Sequence, residues 1–111
     1  MTIILENGRK YIGEVDPALE PDGFGLEFYP SGALLYKGEY KRGLKDGQGI
    51  FYYESGLKGY EGGFKNNYMD GKGTLFSMQS GNTIFSGKMD SGNFLEGEFF
   101  SENGTLAESI V

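Results

Sequence analysis

The sequence predicts an all-β protein: a single-layer, twisted antiparallel meander of stacked β-hairpins, elongated and with about ten strands. Three observations carry that expectation. Tyr11-Ile12-Gly13-Glu14-Val15, Tyr36-Lys37-Gly38-Glu39-Tyr40, Tyr60-Glu61-Gly62-Gly63-Phe64 and Phe85-Ser86-Gly87-Lys88-Met89 are four copies of aromatic-x-Gly-x-bulky, with glycines 25, 24 and 25 residues apart. A Gly-x-Gly pair follows nine and eleven residues after the first glycine at Gly47-Gln48-Gly49 and Gly71-Lys72-Gly73, and one residue later at Gly23-Phe24-Gly25. Ser-Gly then closes each unit at Gly32, Gly56 and Gly81. A unit this short cannot bury its own hydrophobic face, so it must stack on its neighbours.

The units run over about 11–35, 36–59, 60–84 and 85–104 of one domain spanning 1–111, with half-units at 2–8 and 105–111 acting as caps. Each splits into two stretches of strand character, as in Leu34 to Tyr40 and Gln48 to Tyr53 of the second. The Ser-Gly pairs, with Asn7-Gly8 and Asn103-Gly104 in matching places, suit hairpin turns that need positive φ. Two strands per unit at ~4.8 Å each advance the sheet by roughly 10 Å, so four units make a ribbon on the order of 40 Å long. Alternation places Tyr36, Gly38 and Tyr40 on one face and Lys37, Glu39 and Lys41 on the other. A glycine between two aromatic positions leaves room for a ring of the neighbouring unit to cross the backbone. Which face is concave is left open by the sequence.

These motifs resemble the MORN repeat, whose usual form is Tyr-x-Gly-x-Trp/Phe followed by Gly, Gly-x-Gly, an aromatic and Gly. The resemblance covers roughly residues 11 to 104 and is closest in the second and third units. The first departs from it with Val15 and the loop Asp16-Pro17-Ala18-Leu19-Glu20-Pro21-Asp22, the fourth with Met89 and with Glu96 and Glu98 near the expected Gly-x-Gly. It implies a repeat sheet and, since MORN proteins are often associated with phosphoinositides, a membrane alternative.

Composition narrows the function. Histidine and cysteine are absent, which removes the commonest general base, metal ligand and thiolate nucleophile. The paired acids Glu96 and Glu98 read as a solvated capping face. Gly81 to Met89 and Gly71-Lys72-Gly73 miss the phosphate-loop pattern at its defining residues. Asp16, Glu20 and Asp22 do not have calcium-loop spacing, and Asn103-Gly104-Thr105 reads as a turn. No enzyme, cofactor or metal is expected.

Net charge is −6, but residues 1–35 carry two bases and six acids, residues 36–88 eight bases and five acids, and residues 89–111 five acids and no base. Such a chain repels nucleic acid at long range. No basic start with an apolar run opens the chain and no stretch of about 18 apolar residues occurs, so a cytoplasmic location is expected. The leading functional reading is a non-catalytic protein-interaction module, a scaffold that presents Tyr36, Tyr40, Tyr60 and Phe64, with Tyr52 and Phe76 from the second strands, to a peptide, helix or domain of a partner protein. The alternatives are a small acidic antitoxin or immunity-type inhibitor, and phosphoinositide or membrane association through Lys37, Lys41, Arg42, Lys45, Lys58 and Lys65. Leu44, Tyr68-Met69 and Phe94 are read as a discontinuous apolar edge for self-association or partner contact.

Overall fold

The computed structural model describes residues 1–110; Val111, the end of the expected C-terminal cap, lies outside them. Ten strands form one open sheet: β1 (Thr2–Ile4), β2 (Lys10–Val15), β3 (Pro21–Phe28), β4 (Leu34–Lys41), β5 (Leu44–Tyr52), β6 (Lys58–Lys65), β7 (Tyr68–Phe76), β8 (Thr83–Asp90), β9 (Asn93–Phe100) and β10 (Leu106–Ile110). Each pairs antiparallel with its neighbours in chain order, without a crossover. The slab measures 46 × 27 × 18 Å, so the elongated all-β meander expected from the repeats is what forms.

Two kinds of turn alternate along its borders. On the Ser-Gly border, three-residue loops close with Tyr29 N–H to Ala33 O and Gly32 N–H to Tyr29 O, both 2.8 Å, and the same pair of bonds recurs from Leu5, Tyr53 and Ser101. The glycines there, Gly8, Gly32, Gly56 and Gly104, have φ between 83° and 99°, a conformation that costs a residue with a Cβ about 1–2 kcal/mol. On the other border the two-residue turns Arg42-Gly43, Asn66-Asn67 and Ser91-Gly92 have both central φ angles positive, the geometry that matches the twist of the flanking strands. Spacings of 25 arise where a turn is one residue longer. The first unit turns through Asp16–Glu20, and the third through Ser77–Asn82, where the buried Ser77 hydroxyl accepts from the N–H groups of Gln79 and Ser80 at 3.0 and 3.2 Å.

The repeated glycines line up into one row. Gly13, Gly25, Gly38, Gly49, Gly62, Gly73, Gly87 and Gly97 are register partners from β2 to β9. Over this row lie the first aromatics of the units. A Cβ on Gly49 would overlap the ring of Tyr36, and one on Gly73 that of Tyr60. The expectation that a neighbouring unit's ring crosses the glycine is therefore corrected: the ring comes from the same hairpin, because the strand bends just past its own glycine. Register shifts fall between Gly13 and Val15, Gly38 and Tyr40, and Gly62 and Phe64. The carbonyl turned inward at each bulge receives a tyrosine hydroxyl: Tyr11 to Glu14 O at 2.6 Å, Tyr36 to Glu39 O at 2.9 Å and Tyr60 to Gly63 O at 3.0 Å.

Aromatic packing then joins the units. Tyr11–Tyr40, Tyr40–Tyr36, Tyr36–Phe64 and Phe64–Tyr60 form a zigzag of edge-to-face pairs with centroids 5.1 to 5.2 Å apart. Each pair contributes about 0.5–1.5 kcal/mol beyond its area burial. Tyr11, Tyr36, Tyr60 and Phe85 are fully buried, which a flat single layer cannot achieve. The sheet must fold over its aromatic face, so that face is the inner one.

Candidate functional site

The six aromatic positions singled out from the sequence fall into two groups. Tyr36, Tyr40, Tyr60 and Phe64 are core, with Phe64 the most accessible at 8%. Tyr52 and Phe76 follow Phe51 and Leu75, which pack against the inner cluster, and so project from the opposite face. They belong there to a second periodic row, in which Ile4, Phe28, Tyr52, Phe76 and Phe100 stand 24 residues apart.

On the inner face, beside Tyr60 and Phe64, lies an open cleft of about 550 Å³. Its walls are Tyr29, Leu35, Phe51, Tyr53, Phe64 and Leu75, with Tyr60 beneath and Met69 at one end. The cleft has a cause in the sequence. Second register shifts, between Glu27 and Phe28, Phe51 and Tyr52, and Leu75 and Phe76, make Leu35, Gly59 and Ile84 the extra residues of β4, β6 and β8. Leu35 turns inward and is buried. At the equivalent point the middle unit has only Gly59, and the ring of Phe51 has moved into the space where its Cβ would be. Phe51 stands edge-to-face with Tyr53 at 5.5 Å. The tips of the wall tyrosines are already satisfied, Tyr29 donating to Tyr52 O at 2.6 Å and Tyr53 to Phe76 O at 2.9 Å. Their rings are thereby held rigid while their apolar faces line the cleft.

One end of the cleft is ionic. Glu27, 2% exposed, accepts from Arg9 Nη1 at 2.8 Å, from the Tyr40 hydroxyl at 2.8 Å and from Lys45 Nζ at 3.3 Å. Burial opposes its charge, but the Arg9 hydrogen bond, the Lys45 charge and the Tyr40 hydroxyl outweigh that cost and hold the carboxyl below its ordinary range. The same arrangement pushes the Tyr40 phenol well up, first through burial and then through the Glu27 charge. Lys45 also sits 5.2 Å from the Tyr36 ring centroid and 5.9 Å from that of Tyr40, a cation–π placement.

The ionic trio was not read from the sequence, where Lys45 belonged to a basic stripe. The structure divides that stripe. Lys45 turns inward, Lys58 pairs with Glu61 at 3.0 Å, and Lys41, Arg42 and Lys65 gather at the turn border beside Asp46 and Asp70. Glu27 had a usable signal: it alternates with the inward Gly25 and opposes Tyr36, so a carboxylate there must find cations. The apolar edge also divides. Leu44 and Tyr68 are equivalent turn-flanking residues, 37% and 58% exposed. Met69 lines the cleft, and Phe94 packs on Phe85 and Phe99.

Among the described residues no group of histidine, cysteine, aspartate and glutamate side chains is arranged to hold a metal ion. Residues 36–58 and 60–80 each match the family model described as MORN repeat. No curated protein matches the chain.

Proposed function

We propose that this MORN-repeat protein is a non-catalytic interaction module that holds a segment of a partner protein in the inner-face cleft. MORN repeats are commonly involved in protein or membrane-lipid interactions and are generally non-enzymatic. The observation that carries the protein reading is the open cleft itself, a rigid aromatic wall beside Gly59 on a sheet whose core is already closed. Rings fixed in advance lose little entropy when a ligand packs on them. Phe64 and Tyr60 contribute wall and floor, Tyr36 and Tyr40 act from below by placing Lys45, and Tyr52 and Phe76 belong to the opposite face. The pairing of Lys45 with Glu27 and Lys58 with Glu61, and the acids Asp46 and Asp70 beside Lys41, Arg42 and Lys65, support a protein partner over an anionic membrane surface.

A twelve-residue peptide selected from a displayed library against the full chain supplies the probe. Phe51→Ala or Tyr53→Ala is expected to weaken its binding about thirtyfold, since a desolvated aromatic anchor contributes ~2 kcal/mol or more, whereas Lys41→Ala with Arg42→Ala changes it less than fivefold. The reverse ranking, in variants that melt as the parent does, would replace the cleft by a charged border.

A further inference from the structure

We infer that the cleft selects a partner segment carrying a carboxylate among large apolar residues, with the carboxylate received by Lys45 and Arg9; this rests on the interaction reading above. The argument is an inventory of what the cleft has left to offer. No aspartate or glutamate lines it. The hydroxyl hydrogens of Tyr29, Tyr53 and Tyr60 are committed to backbone carbonyls, and Asn67 Oδ1 already accepts from Lys45 N–H at 2.8 Å. The side-chain groups with hydrogens still to donate are the Arg9 guanidinium, the Lys45 ammonium and the Asn67 amide. The tyrosine oxygens can still accept, but the charged groups of the cleft are both donors, so the polar group it favours most on a ligand is an acceptor.

Charge points the same way. Arg9 and Lys45 share the single negative charge of Glu27, leaving the trio with a net charge of +1. Both cations are held by Glu27 and need no reorganisation to meet an anion, and Lys45 is only 15% exposed, so bulk salt screens it poorly. A cationic or purely apolar segment would leave this charge without compensation in a half-closed site. The apolar walls require the rest of the ligand to be large and hydrophobic. Together these features describe an acidic-apolar peptide.

The same displayed library, selected against the full chain, tests this. The enriched peptides are expected to share one Asp or Glu flanked by bulky apolar residues. The leading synthetic peptide should lose about tenfold in affinity when its acid becomes the amide, and about as much against Lys45→Met, with Lys45→Arg restoring binding. Asn67→Asp is the second variant. It keeps the oxygen that accepts from the Lys45 amide and the positive φ that aspartate tolerates, yet adds a negative charge beside the cleft, and should weaken the acidic peptide several-fold even if Lys45→Met does not fold. A consensus without acids, or binding indifferent to both Asn67→Asp and the amide substitution, overturns the acidic selection and leaves the cleft standing. Binding indifferent to Phe51→Ala overturns the cleft itself. Enrichment of no sequence, while sodium dodecanoate binds the cleft, assigns the site to free amphiphiles and overturns both.

Discussion

Tyr60 and Phe85 occupy the same position in successive units and differ by one hydroxyl. Around Tyr60 the strand pair bends just past Gly62, where β7 runs two residues longer than β6, and the hydroxyl bonds the carbonyl of Gly63, which has no register partner on β7. Around Phe85 no such bond can form, and the surplus on the second strand falls to one residue: Lys88 opposes Glu96 and Met89 opposes Phe94, leaving Leu95 as the extra residue of β9, 56% exposed. Phe85 is buried all the same, by Phe94 and Phe99 at 4.6 and 4.8 Å. Apolar packing alone therefore buries the ring, while the hydroxyl is associated with the larger bend. The first three units share one bend and one continuous zigzag of rings. The fourth carries a local cluster, and side chains over most of β9 and β10 are exposed.

The comparison is broken most severely at the glycine beneath the ring. In Gly73→Ala the new methyl overlaps the fully buried Tyr60, which has nowhere to move without losing both its bond to Gly63 and its contact with Phe64. A loss of about 3 kcal/mol is expected in urea unfolding, a large share of the stability of a domain of this size. Unchanged stability would mean that the ring is not pinned to the glycine row.

Reciprocal substitution sharpens the comparison. Tyr60→Phe leaves the Gly63 carbonyl without its partner in a buried position and should cost about 1–2 kcal/mol. Phe85→Tyr should bring no compensating gain, because Lys88, which stands where Gly63 does, is register-paired with Glu96 and its carbonyl is not freed by the larger slip. If Phe85→Tyr stabilises the protein by as much as Tyr60→Phe destabilises it, the hydroxyl is a generic stabiliser and does not set the bend.

Acid distinguishes the two ends of the sheet. Glu27, at the joint of the first two units, has its folded-state pKa lowered by Arg9, Lys45 and Tyr40. Its contribution to stability is complete above the ordinary carboxyl range, about pH 4.3, and disappears as pH falls through the lower folded-state value. The fourth unit has the exposed pair Lys88–Glu96 and the exposed Glu102, whose carboxyl is lowered by hydrogen bonds from Ser77 and Ser80, and, among the described residues, no buried carboxylate. Residue-resolved hydrogen exchange should therefore show β2–β5 losing protection ahead of β8–β9 between neutral pH and pH 3. Glu27→Gln should remove that part of the pH dependence; an unaltered profile would place the acid-sensitive group elsewhere.

The aromatic-x-Gly-x-bulky spacing and the Ser-Gly turns were sufficient for the meander and its face assignment, because each is a local rule repeated along the chain. What escaped depends on single departures from the repeat. Gly59 looks like one more glycine among twenty, yet it stands where Leu35 and Ile84 stand and so opens the cleft. That equivalence needs the position of the second bulge, which the motif does not encode. Lys45 was grouped with its basic neighbours, although alternation from Tyr40 across the Arg42-Gly43 turn brings it to the inner face opposite Tyr40. The tyrosines chosen as contacts are the residues that periodicity marks best, and periodicity marks the core before it marks a surface.

The smallest effect lies in the turn that sets the first unit apart. At the four regular three-residue loops the left-handed residue is Gly8, Gly32, Gly56 or Gly104, whereas the Asp16–Glu20 loop places Leu19 there with φ 62°. A branched side chain in that conformation costs about 1–2 kcal/mol, and the Leu19 side chain is 55% exposed, so packing recovers little of it. Glycine would relieve the strain but would also loosen the unfolded chain, cancelling part of the gain. Asparagine adopts the left-handed region more readily without glycine's entropy cost. Leu19→Asn is thus expected to raise stability by about 0.5 kcal/mol, read as a small shift of the urea midpoint at constant slope. The Asp16 carboxylate, which accepts from the N–H groups of Ala18 and Glu20 at 2.9 Å each, keeps the loop in place throughout. A destabilised Leu19→Asn would show that the leucine is held by contacts outweighing its strain, and the first unit would then differ from the others by packing as well as by loop length.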